Sequence, residues 1–177
     1  ENNIKHKVAV LGGGSFGTVI ANIIAANGHA VSLWVRNDIL ADEINVSGEN
    51  AAYLPGYKLD SNVTVSADLE GSVQDCGCVV FAVPSSAFRQ IARQISGYLK
   101  KGTTVISTAK GIESATFLLP SQVLQQELSQ CEIGVISGPN IAKEIADGQI
   151  TATVVASDND VFCTQVQELL VSSNFRV

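Results

Sequence analysis

The chain predicts a doubly wound α/β fold: a mostly parallel sheet with helices on both faces. Three observations carry that expectation. Apolar, β-branched runs alternate with helix-period stretches along almost the whole chain. The central runs are hydrophobic without alternation, as in Val79-Val-Phe-Ala-Val83, which suits parallel strands covered on both sides. A glycine-rich turn joins the first apolar run to the first helical stretch.

In chain order, strands are expected at 7–11, 30–35, 63–66, 78–83, 103–108, 133–137 and 151–156, with a last one beginning in Asn174-Phe-Arg-Val177. Helices are expected between them at 15–27, 38–46, 67–73, 85–99, 118–129, 141–146 and 160–172. Right-handed crossovers then wind the chain into a single sheet. Asn27-Gly-His29 turns the first helix into the second strand, leaving His29 exposed, while Trp34 on that strand packs inward. Pro84 stops the fourth strand, and Gly138-Pro-Asn140 opens a late helix with Asn140 as its N-cap. The irregular stretch 47–60, containing Tyr53-Leu-Pro-Gly56, reads equally as a functional loop or a surface excursion. The closing segment looks like a strand just begun, so the chain is expected to continue into another domain.

Composition narrows the classes. A chain of 177 residues that is 46% hydrophobic can bury one large core, so 1–177 reads as one domain. A net charge of −6 argues against a nucleic-acid partner, and no apolar run approaches the roughly 20 residues that span a bilayer. Ile4-Lys5-His6-Lys7 leads straight into the first strand with no signal peptide, and a start at Glu1 suggests processing. Cys76, Cys78, Cys131 and Cys163, with only His6 and His29 as imidazoles, lack metal-ligand spacing. They read as reduced thiols of a cytoplasmic protein, with no metal.

The most informative segment is Val8-Ala-Val-Leu-Gly-Gly-Gly-Ser-Phe-Gly17. Its Gly12-x-Gly14-x-x-Gly17 spacing, between a strand and a helix starting near Ser15, suits a dinucleotide pyrophosphate. Gly12 permits the tight turn, Gly14 lets backbone approach phosphate, and Gly17 lets helix and strand pack closely. The helix then aims unpaired N–H groups and its positive dipole end at the anion. About 20 residues further on, the adenosine-ribose position falls at Arg36. Arginine there tolerates or prefers a 2′-phosphate; Asp38 nearby could serve the ribose, and a merely solvated Arg36 is the plain alternative.

Ligands of such sheets sit outside the carboxyl ends of the strands. Those ends carry the glycine loop, Arg36, Val83-Pro-Ser85, Lys110-Gly111 and Gly138-Pro-Asn140. Pro84 shapes the loop beneath the nicotinamide ribose. Lys110 can hold a substrate phosphate or polarise a carbonyl. Ser85 and Ser86 have no histidine partner for nucleophilic work, and Glu43, Glu49, Asp158 and Asp160 read as solvated or capping charges.

Together with Asn27-Gly-His29, Leu33-Trp-Val-Arg36, Tyr53-Leu-Pro-Gly56, Ala109-Lys-Gly-Ile-Glu113, Ser137-Gly-Pro139 and Ala142-Lys-Glu144, these segments give the chain its resemblance. It resembles the N-terminal domain of bacterial-type NAD(P)-dependent glycerol-3-phosphate dehydrogenases. The resemblance implies hydride transfer between the nicotinamide C4 and C2 of dihydroxyacetone phosphate, giving sn-glycerol 3-phosphate for phospholipid synthesis. It implies NAD or NADP contacts at Ser15, Phe16, Arg36, Lys110 and Ala142, substrate contacts at Lys110, Gly138 and Asn140, and a homodimeric parent. Asn140 departs from the serine or threonine of many members. The family's helical second domain, with its catalytic lysine, has no counterpart here, so no catalytic residue is expected in these residues and turnover by them alone is not. Two alternatives stay open: another two-domain dehydrogenase of hydroxyacyl-CoA or ketopantoate type, and a nucleotide-sensing module.

Overall fold

A computed structural model describes residues 7–177. Its main sheet has the order β3-β2-β1-β4-β5-β6-β8, built from β1 Val8–Leu11, β2 Val31–Trp34, β3 Val63–Ser66, β4 Cys78–Phe81, β5 Thr104–Ser107, β6 Glu132–Ser137 and β8 Val154–Ala156. Every pairing is parallel except β6 with β8. The helices are α1 Ser15–Ala26, α2 Asp38–Ser47, α3 Leu69–Val73, α4 Phe88–Ile95, α5 Pro120–Glu127, α6 Ala142–Ala146 and α7 Asp160–Leu170.

Alternate side chains of a strand point to opposite faces, and burial on both faces explains why β1 and β4 are apolar throughout. Val8, Val10, Leu33, Val80 and Ile106 face α1, α2 and α7, through Ile20, Ile24, Ile44, Phe162 and Leu170. Ala9, Leu11, Val79, Phe81 and Val105 face the other layer, through Val73, Phe88, Ile91, Ile95 and Leu124. Phe81 and Phe88 meet at a ring-centroid distance of 5.1 Å. All residues of β1, β2 and β4 are buried. The chain runs outward from β1 through β2 to β3, then crosses back to β4 on the other side of β1. That reversal opens a crevice at the carboxyl ends of β1 and β4, where such folds bind ligands.

Four local expectations are corrected. The strand at 151–156 is two strands: β7 Thr151–Ala152 pairs with the terminal β9 Phe175–Arg176, and β8 pairs with β6. Thr153 is the switch, its N–H donating to the Arg176 carbonyl at 2.8 Å before the chain joins β6. The terminal strand therefore joins a separate two-stranded sheet rather than the main one. The helix at 85–99 is regular only over α4, with single 3₁₀ turns at Ser85–Ala87 and Ser96–Tyr98. His29 is half-buried rather than exposed. Among the described residues, no helix is long and apolar enough to cross a membrane.

Candidate functional site

The cleft at the sheet reversal has a volume of about 950 Å³. Its floor is the glycine turn. Gly12 has φ +117°, and a Cβ there would lie 2.7 Å from the Ala82 carbonyl oxygen on the β4 side. A Cβ at Gly17 would come within 1.9 Å of the Gly12 carbonyl oxygen. Beside Gly14 there is open space, with nothing within 4 Å of where a Cβ would be. The turn is thus packed tight on its inner side and clear on its outer side.

Among the described helices, α1, α4 and α6 start without a side-chain cap, and of these only α1 follows the glycine turn. Asn37, Asp68 and Asn159 cap α2, α3 and α7 with their side chains. Gly14 begins α1 with no side-chain cap, leaving its first-turn N–H groups for an anion. The charged side chains that line the cleft, Arg36 and Lys110, are both basic, although the chain as a whole carries −6. A phosphate-bearing ligand meets complementary charge in the cleft of an acidic molecule.

Gly12, Gly14, Ser15, Phe16, Gly17, Arg36, Pro84, Lys110, Gly138 and Asn140 all line this cleft. Arg36 is exposed, two residues beyond β2, and Pro84 follows β4 at the same edge. Lys110, beyond β5, donates from Nζ to the Gly138 carbonyl at 3.1 Å. Ala142 is the exception: it is the first residue of α6 and does not contribute to the wall. Asn140 is not the N-cap of α6. Ile141 holds that position without a side-chain bond, and Asn140 instead donates from Nδ2 to the Ala152 carbonyl at 2.8 Å. The pull toward β7 takes its amide away from the helix end.

Within residues 48–60, Asn50 and Tyr53 reach the glycine turn. Ser15 Oγ donates to the Tyr53 carbonyl at 2.6 Å, and Tyr53 lines the cleft. Glu49 is more than a solvated charge. Its carboxylate accepts the Gly56 N–H at 2.8 Å, and that bond, ahead of the Lys58 contact, lowers its pKa. Asn50, which the sequence did not single out, is fully buried and donates to the Gly13 carbonyl at 2.8 Å. No local pattern marks it, because its partner lies 37 residues away. Cys76, Cys78 and Cys131 are poor nucleophiles: burial pushes Cys76 and Cys131 up to about 11, and Cys78 further still.

Fold and cleft together define a Rossmann-type α/β domain. Residues 7–163 match the family model described as the N-terminus of NAD-dependent glycerol-3-phosphate dehydrogenase, and the chain belongs to that family. It is 50% identical over 171 residues to a glycerol-3-phosphate dehydrogenase [NAD(P)+] of Teredinibacter turnerae, covering 97% of this chain and 50% of that one. A namesake from Saccharophagus degradans is also 50% identical, with 98% and 48% covered. The crystal structure of glycerol-3-phosphate dehydrogenase from Coxiella burnetii superimposes with a TM-score of 0.91 at 33% identity, over 98% of this chain and 53% of that one. The chain thus spans about half the length of the curated relatives it matches.

Proposed function

We propose that this chain is the cofactor-binding half of an oxidoreductase that interconverts dihydroxyacetone phosphate and sn-glycerol 3-phosphate with NAD(P)H, feeding glycerophospholipid synthesis. The observation that carries the reading is the uncapped end of α1, behind a glycine turn, in a cleft whose charged lining is basic only. The intact protein is proposed to be a cytoplasmic homodimer, on the resemblance alone.

When bound, the cofactor supplies a hydride at its nicotinamide C4. The chain's own residues bind and orient. N–H groups of Gly14, Ser15 and Phe16 receive the pyrophosphate. Arg36, at the outer end of β2, stacks on the adenine or pairs with a 2′-phosphate. Val83 and Pro84 form the wall beneath the nicotinamide ribose. Lys110 holds the substrate phosphate or carbonyl at the inner end of the cleft, steadied by its bond to Gly138. Gly138 and Asn140 close the substrate side, and Ala142 lies just beyond them. Among the described residues, the cleft lining contains no carboxylate or imidazole, which supports Lys110 as a binding group and leaves general acid–base work unassigned within them. The chain alone accordingly binds cofactor without turning over.

Calorimetric titration with NADH and NADPH tests this. Both are expected to bind, and Arg36→Ala is expected to weaken NADPH about tenfold while sparing NADH, a loss of roughly 1.4 kcal/mol. Binding of neither cofactor to the folded chain would overturn the reading. Measurable oxidation of NADH with dihydroxyacetone phosphate by this chain alone would overturn its inactivity.

A further inference from the structure

We propose that Asn50, acting with Thr18, is a positioning residue that sets the anion-binding face of the glycine turn. The inference rests on the cofactor reading above and adds a residue outside the glycine motif. Asn50 reaches the turn from the segment after α2. Its Nδ2 donates both hydrogens inward, to the Gly13 carbonyl at 2.8 Å and to Thr18 Oγ1 at 2.9 Å. Thr18, itself fully buried, passes its hydroxyl hydrogen to the Gly14 carbonyl at 2.8 Å. The Asn50 amide thereby holds the Gly13 carbonyl directly, while the Gly14 carbonyl is held by α1 itself, through the Thr18 N–H at 3.0 Å, with the Thr18 hydroxyl that Asn50 buttresses as a second donor.

The consequence follows from peptide geometry. In a trans peptide the carbonyl of one residue and the N–H of the next point in opposite directions. Drawing the Gly13 and Gly14 carbonyls into the protein turns the N–H groups of Gly14 and Ser15 outward, on the side where space beside Gly14 is open. These donors are the ones a pyrophosphate would meet. Asn50 thus acts through the backbone of the turn and touches no ligand.

A purely structural role explains the arrangement less well. Asn50 Oδ1 is buried and finds no donor among the described residues. A buried polar atom without a partner is destabilising, and an apolar side chain of similar size would avoid it. The amide thus leaves its acceptor unpaired while both of its donor hydrogens are committed to the turn. Its surroundings keep it in place. The N–H groups of Tyr53 and Leu54 bond to the Asn50 carbonyl. Ser15 bonds to the Tyr53 carbonyl, and Glu49 closes the base of the loop on Gly56.

The test compares ligands with and without a pyrophosphate on the same variants. NADH, ADP-ribose and adenosine are titrated into wild type, Asn50→Ala, Thr18→Val and Thr18→Ser, followed by backbone amide resonances so that weak binding is readable. Asn50→Ala and Thr18→Val are expected to bind NADH and ADP-ribose about tenfold more weakly or worse. Adenosine affinity should stay at the wild-type value, and Thr18→Ser, which keeps the hydroxyl, should restore binding. The Gly14 and Ser15 amide shifts caused by NADH should shrink in the two weakened variants. Unchanged NADH affinity in Asn50→Ala, or equal losses for NADH and adenosine, would overturn the positioning role alone. Should Asn50→Ala not fold, the Thr18→Val and Thr18→Ser pair decides by the same criteria. A wild-type chain that binds neither NADH nor NADPH would overturn the cofactor reading and this role with it.

Discussion

Gly14 and Gly17 stand three positions apart in one motif, yet each meets a different constraint. At Gly17 the Gly12 carbonyl leaves no room for even a methyl group, whereas Gly14 borders empty space. Gly17→Ala is therefore expected to cost about 1–3 kcal/mol or more, as overpacking does, and to abolish cofactor binding with it. Gly14→Ala should fold with a stability within about 1 kcal/mol of wild type, while its methyl group obstructs the phosphate and weakens NADH binding. Thermal melts and NADH titrations of the two variants separate these outcomes. The glycine spacing made both positions legible in the sequence. Asn50 was not, because its role depends on a contact with Gly13 that only the fold creates. Asn140 shows the same limit: its place after Gly-Pro suggested a helix cap, and the neighbouring strand took its amide instead.

Between residue and molecule, ion pairs fix the segment that follows Lys110. The Arg89 guanidinium on α4 forks onto both oxygens of Glu113, at 2.8 and 2.7 Å, and also reaches Glu127 on α5. The Arg89 bonds, with the Thr116 hydroxyl second, hold the Glu113 carboxyl down to about 2, from an ordinary 4.5. A carboxyl whose folded pKa is lowered adds stability above its unfolded pKa and loses it as pH falls toward the folded one. The urea midpoint of wild type should therefore exceed that of Glu113→Gln at pH 7. The gap should narrow below about pH 4.5 and close near pH 2. A gap independent of pH would show that this pair contributes nothing. The Lys-Gly-Ile-Glu113 segment was visible in the sequence as part of a resemblance, but Arg89 as its partner was not. The two residues are 24 positions apart on different elements. The run at 151–156 was legible as β structure for its apolar, β-branched residues. Its division at Thr153 was not, since hydrogen bonding to Arg176 and to β6 decides it.

For the whole molecule, the reversal between β1 and β4 does the organising: it gathers the glycine turn, Pro84 and Lys110 at one edge. The layers that hold this edge in place are tightly fitted. Phe162 of α7 lies where a Cβ on Gly134 of β6 would clash, 2.2 Å from its ring, and is fully buried. Phe162→Ala should leave a cavity and cost about 3–5 kcal/mol, read as a lower urea midpoint with an unchanged slope. By itself the sequence determined the alternation of strands and helices, the two-faced burial of the central strands and the phosphate-type turn. Each of these is written in local periodicity and in glycine spacing, which neighbouring residues enforce. Tertiary structure alone decided that β8 runs antiparallel at the edge, that β7 and β9 form a separate pair, and that Asn50 and Tyr53 bond to the glycine turn. Those outcomes depend on which distant backbone groups satisfy one another's hydrogen bonds, and no local pattern records that choice.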